Sequence, residues 1–178
     1  MHFNKPAKLL LLLALLVLIH ALFFWLSWKM DNEHQVIHSS TRFTLINGDR
    51  PTIADYKGKP LLVHFWATSC RACIREVPEL ADMYRALHPH GLEMIAVAMP
   101  YDRPDAVITY ADKMAMPWPV ALDVQGDTLS AFGRVQATPA HFLLDPSGKV
   151  VYRHIGTLNI DTITSKINTL LAIKANTQ

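Results

Sequence analysis

The chain opens on a dense apolar block, and beyond it hydrophobic positions recur in two alternating rhythms. Leu9 to Trp28 are twenty residues with one ionisable side chain, His20, the length a helix needs to cross a bilayer core. From Arg42 onward, short apolar runs alternate with stripes at helical spacing. "RFTLIN" predicts a strand ended by a turn at Gly48-Asp49, and "LLVHFWA" (Leu61 to Ala67) a strand buried on both faces. Ile74, Val77, Leu80, Ala81, Tyr84 and Leu87 form one helical face from about Cys70, closed by His88-Pro89-His90-Gly91.

The alternation continues to the end of the chain. "LEMIAVAM" reads as a buried strand, and a helix opens at Pro104 and closes before Pro117. "PVALD" is a short strand and "DTLSAFG" a helical turn. "AHFLLD" and "VVYRHIG" make a hairpin around "PSGK". The last helix carries Ile160, Ile163, Ile167, Leu170 and Leu171 on one stripe. This order is that of an α/β domain, a mixed sheet flanked by helices. The division it implies is a cytoplasmic N-terminus (1–8), a transmembrane anchor (9–28), a polar tether (29–41) and a folded domain (42–178).

Charge sets the expected orientation. Lys5 and Lys8 precede the apolar run, whereas Lys29 is soon followed by Asp31 and Glu33. The excess of lysine before the span places the N-terminus in the cytoplasm and exports the remainder of the chain. No small-x-small cleavage site comes after the run, and Phe23, Phe24, Trp25 and Trp28 suit an interfacial belt, so the reading is an uncleaved anchor rather than a removed signal. His20 within it reads as a neutral, packed residue. The net charge of +2 equals the contribution of Lys5 and Lys8. The exported part is therefore formally neutral and offers nucleic acid no basic field.

Only two cysteines exist, Cys70 and Cys73, in "HFWATSCRACIREVP". A bridge over so short a loop is a poor staple. A tetrahedral zinc site lacks a second cysteine pair, and attached c-type haem would need histidine where Ile74 stands. Redox cycling does favour a short separation, because the second thiol can release a mixed disulfide formed by the first. A strand leads into the pair and a helix leaves it, so Cys70 is expected at the helix N-terminus, where the macrodipole and Arg71 favour its thiolate. Cys70 is then the nucleophile and Cys73, one turn deeper, the resolving thiol.

These features together resemble the thioredoxin fold. "FWAT" before the pair, "CxxCxxExP" through it, and "TPAHFLLDPSGKVVYRHIG" at the close resemble the TlpA/ResA-like branch of exported, membrane-anchored thiol–disulfide oxidoreductases. The resemblance spans about Phe43 to Leu171. It implies that Pro139, after Thr138, is a cis-proline facing the cysteines and shaping a substrate groove. It implies that Glu76 tunes the thiols and shuttles their protons; a solvated glutamate, or an ion pair with Arg75, is the alternative. Pro78 is expected to kink the helix, and Trp66 to pack beneath the site or simply fill the core. The chain departs from the pattern at Ser69, usually aromatic, at Arg71-Ala72, without the common proline, and at His64, where the fold often has an acid or amide. His64 is either a neutral core residue or a partner in proton transfer.

The function so implied is reduction of disulfides in exported proteins, cytochrome c maturation among the routes. A membrane thiol-electron donor would supply it, with no cofactor beyond the Cys70–Cys73 disulfide and no metal. The site would lie on the periplasmic side of a bacterial inner membrane. Two other readings stand beside it. One is a copper(I) module holding the ion with both cysteines and a histidine such as His141. The other is a thiol peroxidase, whose proline-lined pocket "HFWATSC" lacks.

Overall fold

The computed structural model describes residues 13–25, 36–133 and 135–175. The chain divides into two units, Met1–His34 and Gln35–Gln178. In the first, residues 13–25 form helix α1. Among the described residues no helix is long and apolar enough to cross a membrane. The ends of the expected span, 9–12 and 26–28, lie outside the described residues, as do Lys5, Lys8 and most of the expected tether.

The second unit is built on one six-stranded sheet. Its strands are β1 (Thr44–Leu45), β2 (Leu61–Trp66), β3 (Glu93–Ala98), β4 (Val120–Leu122), β5 (Ala140–Leu144) and β6 (Val150–Ile155), in spatial order β1-β4-β3-β2-β5-β6. β2, β3 and β4 run parallel, while β1, β5 and β6 pair antiparallel to their neighbours. The helices are α2 (Arg71–Leu87), α3 (Pro104–Lys113), α4 (Asp127–Ala131) and α5 (Ile160–Ala175).

Two apolar layers cover the sheet, and the two-residue period of its strands divides them. Leu62 and Trp66 of β2 pack with Val77 and Leu80 of α2 and Ile163 and Ile167 of α5. Leu61, Val63 and Phe65 face the opposite side, with Phe43, Phe132 and Phe142. Every residue of β2 is buried, which is why its sequence shows no alternation.

The structure differs from the sequence reading in a few places. "RFTLIN" contributes only Thr44 and Leu45 to the ladder; the chain turns back at once, with Gly48 N–H bonded to Leu45 O and Leu45 N–H to Asp49 O. A 3₁₀ turn over Ile53–Tyr56, capped through Thr52 and Asp55, was not expected. Val36 forms an isolated bridge with Lys149 and Ile37 is buried, so the segment read as tether is part of the folded domain from Val36 on. α2 runs unbroken past Pro78 to Leu87.

Candidate active site

The loop from β2 to α2 carries the cysteines. Its path is fixed by Thr68, whose N–H and hydroxyl both donate to the Asp102 carboxylate at 2.7 and 2.9 Å. Cys70 is the N-cap of α2. Its extended backbone lets its sulfur accept the N–H of Cys73 at 3.1 Å, satisfying one of the donors a helix start leaves open. The two cysteines are joined as a disulfide, with Cα atoms 5.3 Å apart. Cys70 is half-buried and Cys73 wholly buried, the depth order expected of an attacking and a resolving thiol. Arg71 is exposed beside them.

Behind Cys73 the core turns polar. Cys73, Val77, Leu80, Ala81, Tyr84 and Leu87 make the buried stripe of α2, and Glu76 lies in that same stripe at 3% exposure. A carboxylate so placed costs several kcal/mol unless it is paired, so its surroundings decide its state. Oε1 lies 3.1 Å from His141 Nε2 and 3.6 Å from His64 Nδ1, and Oε2 accepts the Leu158 N–H at 3.4 Å. The two imidazoles stack with centroids 4.7 Å apart, and their Nδ1 atoms are hydrogen-bonded at 3.2 Å. Burial, and then the charge His141 can carry, hold His64 well below its ordinary pKa. Glu76 is thus neither solvated nor paired with Arg75 at the surface.

His64, Glu76 and His141 offer ligand atoms within 4.8 Å of one another.

The remaining expected residues fall around this centre. Trp66 is fully buried in the same cluster as Cys73 and Leu62, on the α2 side of the sheet. The Thr138–Pro139 peptide is cis. β5 begins one residue later and runs antiparallel to β2, so Pro139 stands at the end of the sheet from which the cysteine loop leaves. His141, two residues on, entered the sequence reading only as a copper ligand, and Asp102 did not enter it.

The model of the AhpC/TSA family matches residues 38–153, which hold both cysteines, the buried carboxylate–imidazole cluster and the cis-proline. The chain belongs to the AhpC/TSA family. Within it, the chain is similar to the thiol-disulfide oxidoreductase ResA of Bacillus subtilis, 34% identical over 122 residues, 68% of this chain and 67% of the relative. ResA of Geobacillus thermodenitrificans is 31% identical over 125 residues, covering 70% and 71% of the two chains. A solved thioredoxin-family thiol:disulfide interchange protein from Chlorobium tepidum superposes with a TM-score of 0.69 at 21% identity, over 79% of this chain and 99% of its own. The resemblance to the ResA-like branch is borne out, and this family member is a thiol–disulfide oxidoreductase of thioredoxin-like fold.

Proposed function

We propose that the oxidoreductase domain is tethered to the bacterial inner membrane by residues 9–28 and reduces disulfides of exported proteins outside the cytoplasm. The thiols of apocytochrome c before haem attachment are among its substrates, and a membrane thiol carrier returns it to the dithiol. The observation that carries the chemistry is the placement of Cys70 Sγ on the open N–H of Cys73 at the start of α2. A thiolate there gains a hydrogen bond and the helix dipole, and stays exposed enough to meet a partner. The apolar run with its preceding lysines supports the tether and its orientation. Substrate backbone is expected to lie along Thr138 and Pro139, at the sheet end nearest the cysteine loop.

Neither other reading gains a specific support. His141, the histidine offered as an example for the copper reading, lies against Glu76 and His64. The residues ahead of Cys70 in "HFWATSC" contain no proline.

Equilibration of the full chain with glutathione buffers tests the direction of flow. A reductant should settle near thioredoxin, at about −270 mV; a value near about −120 mV, that of the strongest periplasmic oxidant, would reverse the proposal. The tether is tested on membranes: the chain should resist an alkaline wash and expose its cysteines to an impermeant alkylating agent only from the outer side. Release by the wash would remove the anchor.

A further inference from the structure

Buried polar atoms without a partner collect in one place. Among the described residues five buried side-chain nitrogens and oxygens have no hydrogen-bond partner, and three of them lie in one cluster: Glu76 Oε1, His141 Nε2 and His64 Nε2. Such atoms are rare in a folded core, so three together call for a binding partner. Among the described residues no lysine or arginine pairs with the Glu76 carboxylate. Only the two imidazoles stand within ion-pair distance, and its one hydrogen bond is the long contact from Leu158 N–H at 3.4 Å.

We propose that His64, Glu76 and His141 bind one divalent transition-metal ion, zinc(II) by the chemistry of the donors. The site rests on these buried side chains, and on neither the membrane tether nor the direction of reduction.

Two imidazoles and one carboxylate suit zinc and its first-row neighbours; calcium and magnesium take oxygen ligands instead. The set contains no sulfur, so it is not the copper(I) site that both cysteines would make. Spacing agrees with the chemistry. Zinc bonds of about 2.0–2.2 Å set the corners of a tetrahedron about 3.3–3.6 Å apart. Oε1 lies 3.1 Å from His141 Nε2 and 3.6 Å from His64 Nδ1, and one ligand atom from each residue falls within 4.8 Å of the other two. The rings stack with centroids 4.7 Å apart, so the edge between them is the one that adjusts. An ion there replaces the 3.2 Å contact between the two Nδ1 atoms, one ring turning about its Cβ–Cγ bond to offer its lone pair. Bound this way, it satisfies Oε1 and His141 Nε2 and offsets the charge of the buried carboxylate. One corner of the tetrahedron is left for a water.

The three ligands come from three elements. Glu76 lies one turn past Cys73 on α2, His64 is on β2, which leads into the cysteine loop, and His141 is on β5 two residues after Pro139. The ion therefore ties the helix of the cysteine pair to both strands that frame it. Exposures of 1% at His64, 3% at Glu76 and none at His141 close the site to solvent, so the ion enters as the chain folds and leaves slowly.

The test uses the full chain in detergent, oxidised so that both cysteines are held in the disulfide. It is unfolded in urea with a chelator, then refolded with zinc(II) or without. After dialysis against a weak chelator, which strips ions from surface histidines, about one zinc per chain should remain. The loaded chain should need more urea to unfold than the zinc-free chain, because the ion binds the folded state in preference. His141→Phe, which fills the same space without a ligand, should retain less than about a tenth of an equivalent. Cobalt(II) in place of zinc should give the strong visible bands of a tetrahedral site, with no thiolate charge-transfer band. No retained zinc, equal retention by His141→Phe, or retention only after the disulfide is reduced would each overturn the site. Should His141→Phe fold poorly, Glu76→Gln carries the same comparison. The cobalt spectrum of the parent also decides without any variant, since octahedral or thiolate bands would contradict the ligand set.

Discussion

His64 Nδ1 lies 3.2 Å from His141 Nδ1 in a core where neither ring exceeds 1% exposure. Such a pair cannot hold two charges, and burial already keeps His64 neutral well below the ordinary histidine value of 6.5.

Stability should therefore fall in acid. Above about pH 6.5 His64 is neutral in both the folded and unfolded chain and adds no pH dependence. Below it the unfolded chain binds a proton that the folded core refuses. The slope approaches about 1.4 kcal/mol per pH unit for this one group, until the depressed folded pKa is reached. Urea titrations at pH 7.5 and 5.5 should show the loss, and His64→Gln should flatten it. An equal slope in the variant would show that His64 is protonated when folded.

Glu76 joins α2 to both histidines and to the N–H of Leu158. Glu76→Gln keeps an acceptor for Leu158 but loses the charge that faces both imidazoles. It should cost about 1–3 kcal/mol in urea unfolding, and Glu76→Ala more, because a buried donor is then orphaned. Resolution by Cys73 should slow at least tenfold in Glu76→Gln, while alkylation of Cys70 keeps its rate. Equal slowing of both would mean that Glu76 acts on the loop as a whole.

Asp102 is the clasp on the cysteine loop, taking two hydrogen bonds from Thr68 two residues before Cys70. Asp102→Ala should lower stability by about 1.5–3 kcal/mol, the range for hydrogen bonds to a charged group. Asp102→Asn should fall between the two. Thermal unfolding of the three proteins checks that order, and Asp102→Ala as stable as the parent would contradict it.

Arg71 is exposed, so its charge acts on Cys70 through water and is screened. Arg71→Ala should raise the pH midpoint of Cys70 alkylation by a few tenths of a unit, with the difference shrinking in high salt. A shift above one unit would give Arg71 a larger share than the helix start.

Much of this site was legible along the chain, because the strand–CxxC–helix order itself places Cys70 at a helix tip. Glu76 sits three residues past Cys73, on the stripe that the apolar period of α2 defines. The His141–His154 pair was also within reach: the two stand equally far from the ends of the "PSGK" turn, so the hairpin sets them opposite each other. His64 against His141 was not, since that register joins strands 77 residues apart through the pairing of the whole sheet. The Thr68–Asp102 clasp was hidden for the same reason, being made by two loops that meet only once β2 and β3 are paired.

The central claim is the division of labour between the two sulfurs, and trapping tests it most directly. With an oxidised protein partner, the reduced Cys73→Ser chain should accumulate a mixed disulfide through Cys70, stable until a reductant is added. Cys70→Ser should accumulate almost none, because its remaining thiol is buried. Equal trapping by both variants, or trapping by Cys70→Ser alone, would contradict the account.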